Sequence, residues 1–221
     1  MEDTLRALGE VGLVPVIKID RAADAVPLAR ALIGGGLPVA EITFRTAAAA
    51  ESIRRIAGEL PEMILGAGTV LTTHQAAQAV DAGARYIVSP GFDPQVVDWC
   101  VTQGVPITPG VVTPSEVIMA LGKGLSVLKF FPAEESGGVR MLTALAGPFG
   151  DVRFIPTGGI TAASLPAYLQ LPNVVAVGGS WMVTAALIAA GQFGEIERLA
   201  AEARRIVRVA RGDGGDGEGE R

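Results

Sequence analysis

Lys129 is a basic residue in an otherwise apolar run, "VLKFFP", with Phe130 and Phe131 directly after it. Only three of the 18 basic residues in the chain are lysines, so a position that needed charge alone would more often hold arginine. A lysine amine can lose its proton whereas a guanidinium cannot, and burial among apolar groups disfavours the charged amine. A neutral amine is the nucleophile that forms an imine with a carbonyl compound. Lys129 is therefore the first candidate catalytic residue.

A second set of chemical groups lies in "AEITFRT", where Glu41, Thr43 and Arg45 alternate with apolar residues. Side chains two apart on a strand point to the same face, so these three share one face. If that face and the face of Lys129 line one interior, an acid, an amine and a guanidinium converge there. A structural ion pair is the alternative, but a buried ion pair stabilises a protein poorly relative to apolar packing.

Two glycine-rich turns follow later apolar segments, "PTGGI" at 156–160 and "VGGS" at 177–180. Glycine lets backbone N–H groups approach an anion closely, so the two turns predict a phosphate site. A side chain introduced at Gly179 is then expected to occupy the space that the anion needs. The alternative is that both are tight turns that need positive φ. The "GAGT" turn at 66–69 is weaker evidence, although Thr69 could donate a hydrogen bond there.

These groups need elements that bring them together, and the chain predicts eight strands alternating with helices. The strands are "LVPVIKI", "VAEITF", "MILGAGTV", "YIVSP", "VPITPG", "VLKFFP", "RFIPTGG" and "VVAVGGS". This alternation predicts a single α/β domain, a (β/α)₈ TIM barrel over 1–210, with functional groups at the carboxyl ends of its strands. A doubly wound sheet is the alternative, but no G-x-G-x-x-G turn follows the first strand. The glycine-rich, charged segment 211–221 is expected to be a disordered tail.

Composition narrows the function further. A net charge of −5 and a pI near 5.0 argue against nucleic acid. One cysteine, Cys100, and no signal-like segment at the start predict a cytoplasmic protein. Prolines and glycines interrupt the uncharged stretch 154–194, which argues against a membrane span. His74 is predicted to be an exposed residue at the start of a helix. The sequence has no cluster of His, Cys and carboxylate residues at ligand spacing, so no metal site is predicted.

In order and spacing, these motifs resemble the 2-keto-3-deoxy-6-phosphogluconate (KDPG) aldolases, a family that includes 4-hydroxy-2-oxoglutarate (KHG) aldolases. The resemblance runs from about Val14 to Ala210 and includes "AEITFRT", "GAGTVLT", "SPGF", "KFFPAE", "PTGGI" and "GGSWM". It implies a class I aldolase on a (β/α)₈ barrel, which needs no cofactor and is typically a homotrimer. The expected substrate is a phosphorylated 2-keto acid, cleaved to pyruvate and an aldehyde.

The resemblance also implies a role for each motif residue. Lys129 would form the Schiff base, and Glu41 would transfer protons. The pyruvate end would be bound by Arg45, Thr69, Pro90 and Phe131. The distal phosphate would be held by Thr157, Gly158, Gly159, Gly179 and Ser180. Lys18 departs from the pattern, and its amine could reach the phosphate or face solvent.

Other functions remain open from the sequence. A phosphate-binding isomerase or epimerase would share the glycine turns without needing an imine. A sugar-phosphate sensor would keep those turns without needing Glu41 and Lys129 together. An aldolase for the C4-epimeric phosphogalactonate substrate would use the same residues, and nothing in the sequence fixes that stereochemistry.

Overall fold

A computed structural model describes residues 2–212 of the protein. Of the tail predicted at 211–221, residues 213–221 lie outside the described residues. Nine β-strands and ten α-helices alternate within this part of the chain. The strands are β1 (Leu13–Ile17), β2 (Val39–Thr43), β3 (Ile64–Gly68), β4 (Tyr86–Val88), β5 (Ile107–Thr108), β6 (Gly110–Val111), β7 (Val127–Phe130), β8 (Arg153–Pro156) and β9 (Val177–Gly179). The helices are α1 (Glu2–Val11), α2 (Ala25–Gly34), α3 (Ala49–Glu59), α4 (Thr73–Asp81), α5 (Pro94–Gln103), α6 (Pro114–Leu121), α7 (Gly138–Ala146), α8 (Leu165–Leu169), α9 (Ala185–Ala189) and α10 (Phe193–Arg211).

The strands close into the predicted barrel. Six are hydrogen-bonded in the order β5-β4-β3-β2-β1-β9 and three in the order β6-β7-β8, with every pair parallel. Pro109 alone separates β5 from β6, and its carbonyl accepts a hydrogen bond from the Lys129 N–H. These two short strands therefore form one interrupted strand of the barrel. A parallel bridge between Thr157 and Gly178 joins the end of β8 to β9. The prediction of a (β/α)₈ barrel is confirmed.

The helix starts follow local capping rules. Asp93 caps α5 by accepting the N–H of Val96, and Thr113 caps α6 in a reciprocal capping box with Glu116. Proline occupies the first turn of both helices, where its missing N–H costs nothing. Each cap lies in the short loop that follows a strand, at the carboxyl end of the barrel, and fixes where the next helix begins.

Helix α1 was not predicted. It packs Leu8 into a buried cluster inside the amino-terminal end of the barrel, together with Val14, Val39, Tyr86, Val88, Ile155 and Ala176. Arg211, at the end of α10, donates hydrogen bonds to the carbonyls of Gly9 and Val175 and so ties α10 to α1. Because apolar side chains fill this end, polar chemistry is confined to the carboxyl end of the strands.

No helix within residues 2–212 is long and apolar enough to cross a membrane. The uncharged stretch 154–194 is interrupted as predicted, because its prolines and glycines lie within and between the short elements β8, α8, β9 and α9.

Candidate active site

Lys129 lies on β7 with its side chain inside the barrel. It is 5% exposed, and its strand neighbours in register are Gly110 on β6 and Ile155 on β8. Phe130 alternates to the outside, where its ring meets that of Phe154 edge-on, with centroids 6.4 Å apart. The apolar run around Lys129 is therefore explained by strand alternation: the aromatic neighbour on one side packs under the helices while the amine points inward.

Glu41 is the polar partner of this amine. The Lys129 Nζ lies 3.5 Å from Glu41 Oε1, and both side chains are almost completely buried. The pair joins β2 to β7 across the interior, so the acid and the amine converge as predicted, whereas the Arg45 guanidinium is exposed in the turn after β2. Since no hydroxyl or water is needed to bridge 3.5 Å, a proton could pass between the two groups with a small side-chain adjustment.

Gly68 on β3 makes room for the carboxylate. A Cβ added to Gly68 would overlap Glu41 Oε1 and would lie 2.6 Å from the carboxyl carbon. Glycine inside a strand often marks a close approach of this kind. The sequence carries that signal in "GAGT", a motif from which only a role for Thr69 was predicted.

Tyr86 closes the interior below the pair. Its ring covers Gly66, where an added Cβ would overlap it, and its hydroxyl donates to the Ala40 carbonyl. Complete burial, reinforced by the nearby charge of Glu41, raises the pKa of Tyr86 well above its usual value. Tyr86 therefore stays a neutral phenol and does not compete with Glu41 as an acid or base near neutral pH.

A cavity of about 10 Å³ remains among these side chains, room for about one water molecule. Thr108 and Thr157 line it together with Glu41, Lys129 and Tyr86. Thr108 is 1% exposed and was not singled out from the sequence. A substrate must therefore approach from above, at the mouth, with only water-sized space beneath the pair.

Thr157, predicted to bind the distal phosphate, lies closer to the amine–carboxylate pair than that role suggests. Its side chain is buried inside the barrel beside the cavity, and its hydroxyl fills the space where Gly178 would carry a Cβ. This places the hydroxyl with Lys129 and Glu41 rather than on the outer side of the glycine turn. The role of Thr157 at the distal phosphate stays a prediction, and the inward orientation of its side chain, which follows strand alternation, favours a position beside the reacting end of the substrate.

The four residues expected at the pyruvate end surround the mouth in different ways. Phe131 is half-buried, with its ring centroid 5.1 Å from Lys129 Nζ. Thr69 has φ +54°, and among residues 2–212 it is the one non-glycine residue with positive φ. The carbonyl of Pro90 approaches Gly110 so closely that an added Cβ there would overlap it. Arg45 is exposed in the turn after β2 and, within the described chain, makes no hydrogen bond or ion pair.

The two glycine turns lie side by side, because the Thr157–Gly178 bridge pairs their bases. Gly158 and Gly159 have φ of +107° and +74°, which accounts for glycine at both positions. Ser180 is exposed beyond β9. A Cβ at Gly179 would overlap the indole of Trp181, so the expectation that a side chain there would fill an anion site is corrected to a clash with Trp181.

Lys18 forms an ion pair with Asp20 at 3.0 Å, and its side chain is 41% exposed. It borders a cavity of about 210 Å³ that also contacts Arg21, Asp24 and residues of α9. The pairing with Asp20 favours neither of the two roles that the sequence left open for this amine.

Residues set aside from the sequence lie away from the pair. His74 is exposed on α4, and Cys100 is fully buried on α5, where burial raises the pKa of its thiol to about 12. Within residues 2–212 no three His, Cys, Asp or Glu side chains are grouped as metal ligands would be. A larger cavity of about 710 Å³ opens at the opposite, amino-terminal end of the barrel, away from Lys129 and Glu41.

Comparison with known proteins agrees with this geometry. The family model for KDPG and KHG aldolase matches residues 4–199. The 2-dehydro-3-deoxy-phosphogluconate aldolase of Treponema pallidum is 53% identical, with 92% of this chain and 97% of that protein covered. The KDPG aldolase of Zymomonas mobilis ZM4, solved with 3-phosphoglycerate, superposes with a TM-score of 0.87 at 42% identity, covering 95% and 99% of the two chains.

A second solved structure is similar, the KDPG aldolase of Legionella pneumophila with pyruvate captured as a covalent carbinolamine. Its TM-score is 0.86 at 40% identity, covering 88% of this chain and 97% of that one. The family model spans most of the described chain, and the relatives match along nearly their whole length. The chain therefore belongs to the KDPG and KHG aldolase family.

Proposed function

We propose that this chain is a class I aldolase. It cleaves KDPG to pyruvate and D-glyceraldehyde 3-phosphate, and also cleaves KHG to pyruvate and glyoxylate. The observation that carries this proposal is the buried Lys129–Glu41 pair, 3.5 Å apart at the carboxyl end of the barrel strands. An isomerase or a sensor has no need of a buried amine beside a buried carboxylate, and such a pair is costly for stability alone.

The chemistry begins when Glu41 accepts the proton of the Lys129 ammonium. The neutral amine attacks C2 of the substrate to give a carbinolamine, and Glu41 returns a proton to the departing hydroxyl, which leaves as water. The product is a cationic imine that withdraws electrons from C3. The carbinolamine formed with pyruvate by the Legionella pneumophila relative supports this sequence of steps.

Cleavage uses the same carboxylate. Glu41 takes the proton of the C4 hydroxyl, the C3–C4 bond breaks, and its electrons move into the imine to give an enamine. The aldehyde departs, the enamine is protonated at C3, and water hydrolyses the imine to release pyruvate and restore Lys129. Because Glu41 both accepts and returns the protons of these steps, the side chains of this protein suffice for the whole cycle.

Binding of the 2-keto acid is assigned to the residues around Lys129. Arg45 is unpaired and can grip the carboxylate with two parallel hydrogen bonds. Phe131, Pro90 and Thr69 enclose the imine carbon and fix its orientation. Thr157, facing the same interior as the pair, is reassigned to the reacting end of the substrate, where its hydroxyl can hydrogen-bond an oxygen near C2 or C4.

Binding of the phosphate is assigned to Gly158, Gly159, Gly179 and Ser180. The turns after the seventh and eighth barrel strands are the usual phosphate site of this barrel class. The positive φ of Gly158 and Gly159, together with their missing side chains, is a backbone conformation in which N–H groups can approach an anion closely. The structure of the Zymomonas mobilis ZM4 relative with 3-phosphoglycerate, a phosphorylated ligand, supports this assignment.

We further propose that the active form is a homotrimer in the cytoplasm. Large apolar side chains are exposed on α6, with Ile118 60% and Met119 46% exposed, which is the kind of surface that a neighbouring subunit covers. The single cysteine is compatible with a reducing compartment. Light scattering of the purified protein measures the oligomer, and a monomer would contradict this assignment.

The proposed activity is tested by measuring pyruvate release from KDPG and from KHG with a coupled dehydrogenase. The unmutated protein is expected to release pyruvate from both, and Lys129→Arg to release none, because a guanidinium is not a usable nucleophile. Pyruvate release that survives Lys129→Arg, or none from either substrate in the unmutated protein, would contradict the proposal.

A further inference from the structure

A buried tyrosine connects the loop after the lysine strand to the helix after the glycine turn. Tyr168 on α8 is 1% exposed, and its hydroxyl donates a 2.8 Å hydrogen bond to Glu134 Oε1. Burial, and then the hydrogen bond to Glu134, raise the pKa of Tyr168 above its usual value, so the hydroxyl remains a donor. Glu134 stands in the loop between β7 and α7, the strand of Lys129 and the helix that follows it.

Glu134 lies directly on the glycine turn. Its backbone N–H donates to the carbonyl of Gly158 at 3.2 Å, continuing the pairing of β7 with β8 beyond the strand ends. A Cβ added to Gly159 would come within 2.7 Å of both Cβ and Cγ of Glu134. The Glu134 side chain is therefore in contact with the backbone of the turn, and Tyr168 holds its far end.

Glu134 and Tyr168 border an open cavity next to their hydrogen bond. A cavity of about 640 Å³ is lined by Glu134 and Tyr168 together with the first turn of α7. The hydroxyl of Tyr168 also lies where a Cβ on Gly138 would come within 2.9 Å of it, so the tyrosine is fitted closely between α7 and Glu134. Within the described chain Glu134 has no ion pair, so without the hydroxyl its carboxylate has room to move off Gly159.

We propose that Tyr168 and Glu134 are positioning residues for the phosphate end of the substrate. Their hydrogen bond, named here the 168–134 bridge, fixes the Gly158–Gly159 turn relative to the strand that carries Lys129. This inference rests on the proposed function, since it takes the turn to bind phosphate. A carboxylate near a phosphate repels it, so the useful property of Glu134 is its hydrogen-bonding oxygen and not its charge.

This positioning role predicts an effect on the phosphorylated substrate alone, which a general effect on folding would not produce. The bridge touches the phosphate turn but not Arg45, Glu41 or Lys129, so its loss affects only the phosphorylated substrate. Tyr168→Phe, which deletes the hydroxyl and keeps the ring, is expected to raise KM for KDPG and to lower its kcat/KM about tenfold, the effect of one hydrogen bond of about 1.4 kcal/mol. The kcat/KM for KHG is expected to stay within about twofold.

The experiment compares the ratio of kcat/KM for KDPG to that for KHG across four variants. Glu134→Gln keeps an oxygen that accepts the Tyr168 hydroxyl and removes the charge that repels a phosphate, so its ratio should not fall below that of the unmutated protein. Glu134→Ala truncates an exposed side chain and is expected to fold, and it should lower the ratio as Tyr168→Phe does. Asn173→Ala is the control, because it deletes a different buried hydrogen bond, to the Leu142 carbonyl, and should lower thermal stability without changing the ratio.

The outcomes separate this inference from the proposed function. A ratio near one in the unmutated protein would reject the phosphate assignment, and the bridge with it. A high ratio that Tyr168→Phe and Glu134→Ala both leave unchanged would reject the bridge alone. Equal losses on both substrates, or a loss in Glu134→Gln as large as in Glu134→Ala, would also overturn the role described.

Discussion

Gly68 leaves the space that the Glu41 carboxylate occupies beside Lys129. A Cβ on Gly68 would lie 2.6 Å from the carboxyl carbon and 2.7 Å from Cγ of Glu41, so the whole end of that side chain would have to move. The separation of 3.5 Å between Glu41 and Lys129 thus depends on a glycine on a third strand, β3.

Gly68→Ala is therefore expected to reduce turnover severely while the barrel stays folded. Displacing Glu41 removes a positioned acid–base group, an effect of about 10²–10⁴-fold, and overpacking costs about 1–3 kcal/mol of stability. Gly58→Ala is the matched control, because a Cβ at Gly58 on α3 meets nothing within 4 Å. Steady-state kinetics and thermal denaturation of both variants measure the two effects. Near-normal turnover in Gly68→Ala would contradict this reading of β3.

Glu41→Gln is expected to lose about 10²–10⁴-fold in turnover with little change in pyruvate binding, because the amide keeps the shape but cannot accept a proton. The variant is also expected to fold, since the amide can still accept a hydrogen bond from Lys129. Turnover is measured by pyruvate release, and pyruvate binding by calorimetry. A turnover number close to that of the unmutated protein would reduce Glu41 to a structural partner of Lys129.

Ser180→Ala and Thr157→Ala are expected to have different effects, although the sequence suggested one shared role. Ser180 is exposed beyond β9, so its loss should lower kcat/KM for KDPG about tenfold and spare KHG. Thr157 faces the interior with Lys129, so its loss should reduce kcat/KM for both substrates. A selective loss of KDPG activity in Thr157→Ala would restore the original assignment of Thr157 to the phosphate.

Thr69→Gly tests whether the positive φ of Thr69 is maintained for function. Glycine adopts φ near +54° without the steric cost that threonine carries, of about 1–3 kcal/mol, although it loses more chain entropy on folding. The variant is therefore expected to be as stable as the unmutated protein, or more so, yet to have lower kcat/KM on both substrates. Chemical denaturation and kinetics measure the two quantities. Unchanged activity would show that Thr69 has no role at the mouth, and a clear loss of stability would show that its positive φ carries no strain that glycine relieves.

Much of this arrangement could be predicted because strand alternation is a strong signal. The alternation of Glu41 with apolar residues on β2, and of Lys129 with apolar residues on β7, predicted that the acid and the amine face inward. The eight barrel strands were predictable because each is a short apolar run, and a glycine or proline precedes the next run after the intervening helix. Helix α1 was missed because its apolar positions are few and its partner surface, the inner floor around Leu8, is assembled from distant strands.

Contacts between distant residues were not predictable from the sequence. The role of Gly68 depends on the register of β3 against β2, in which Thr43 pairs with Gly68. The inward orientation of Thr157 depends on where β8 ends, a boundary that sequence patterns fix poorly. Tyr168 and Glu134 are 34 residues apart and meet only because α8 folds back over the loop after β7.

The central claim is that Lys129 forms the imine, and borohydride reduction in the presence of pyruvate tests it most directly. Reduction should fix one pyruvate-derived group to the protein, and peptide mass spectrometry should locate it on Lys129 alone. Lys18 and Lys123 are the internal controls, since both are ion-paired at the surface, with Asp20 and Asp98. Labelling of either control lysine in place of Lys129, or no adduct at all, would contradict the account.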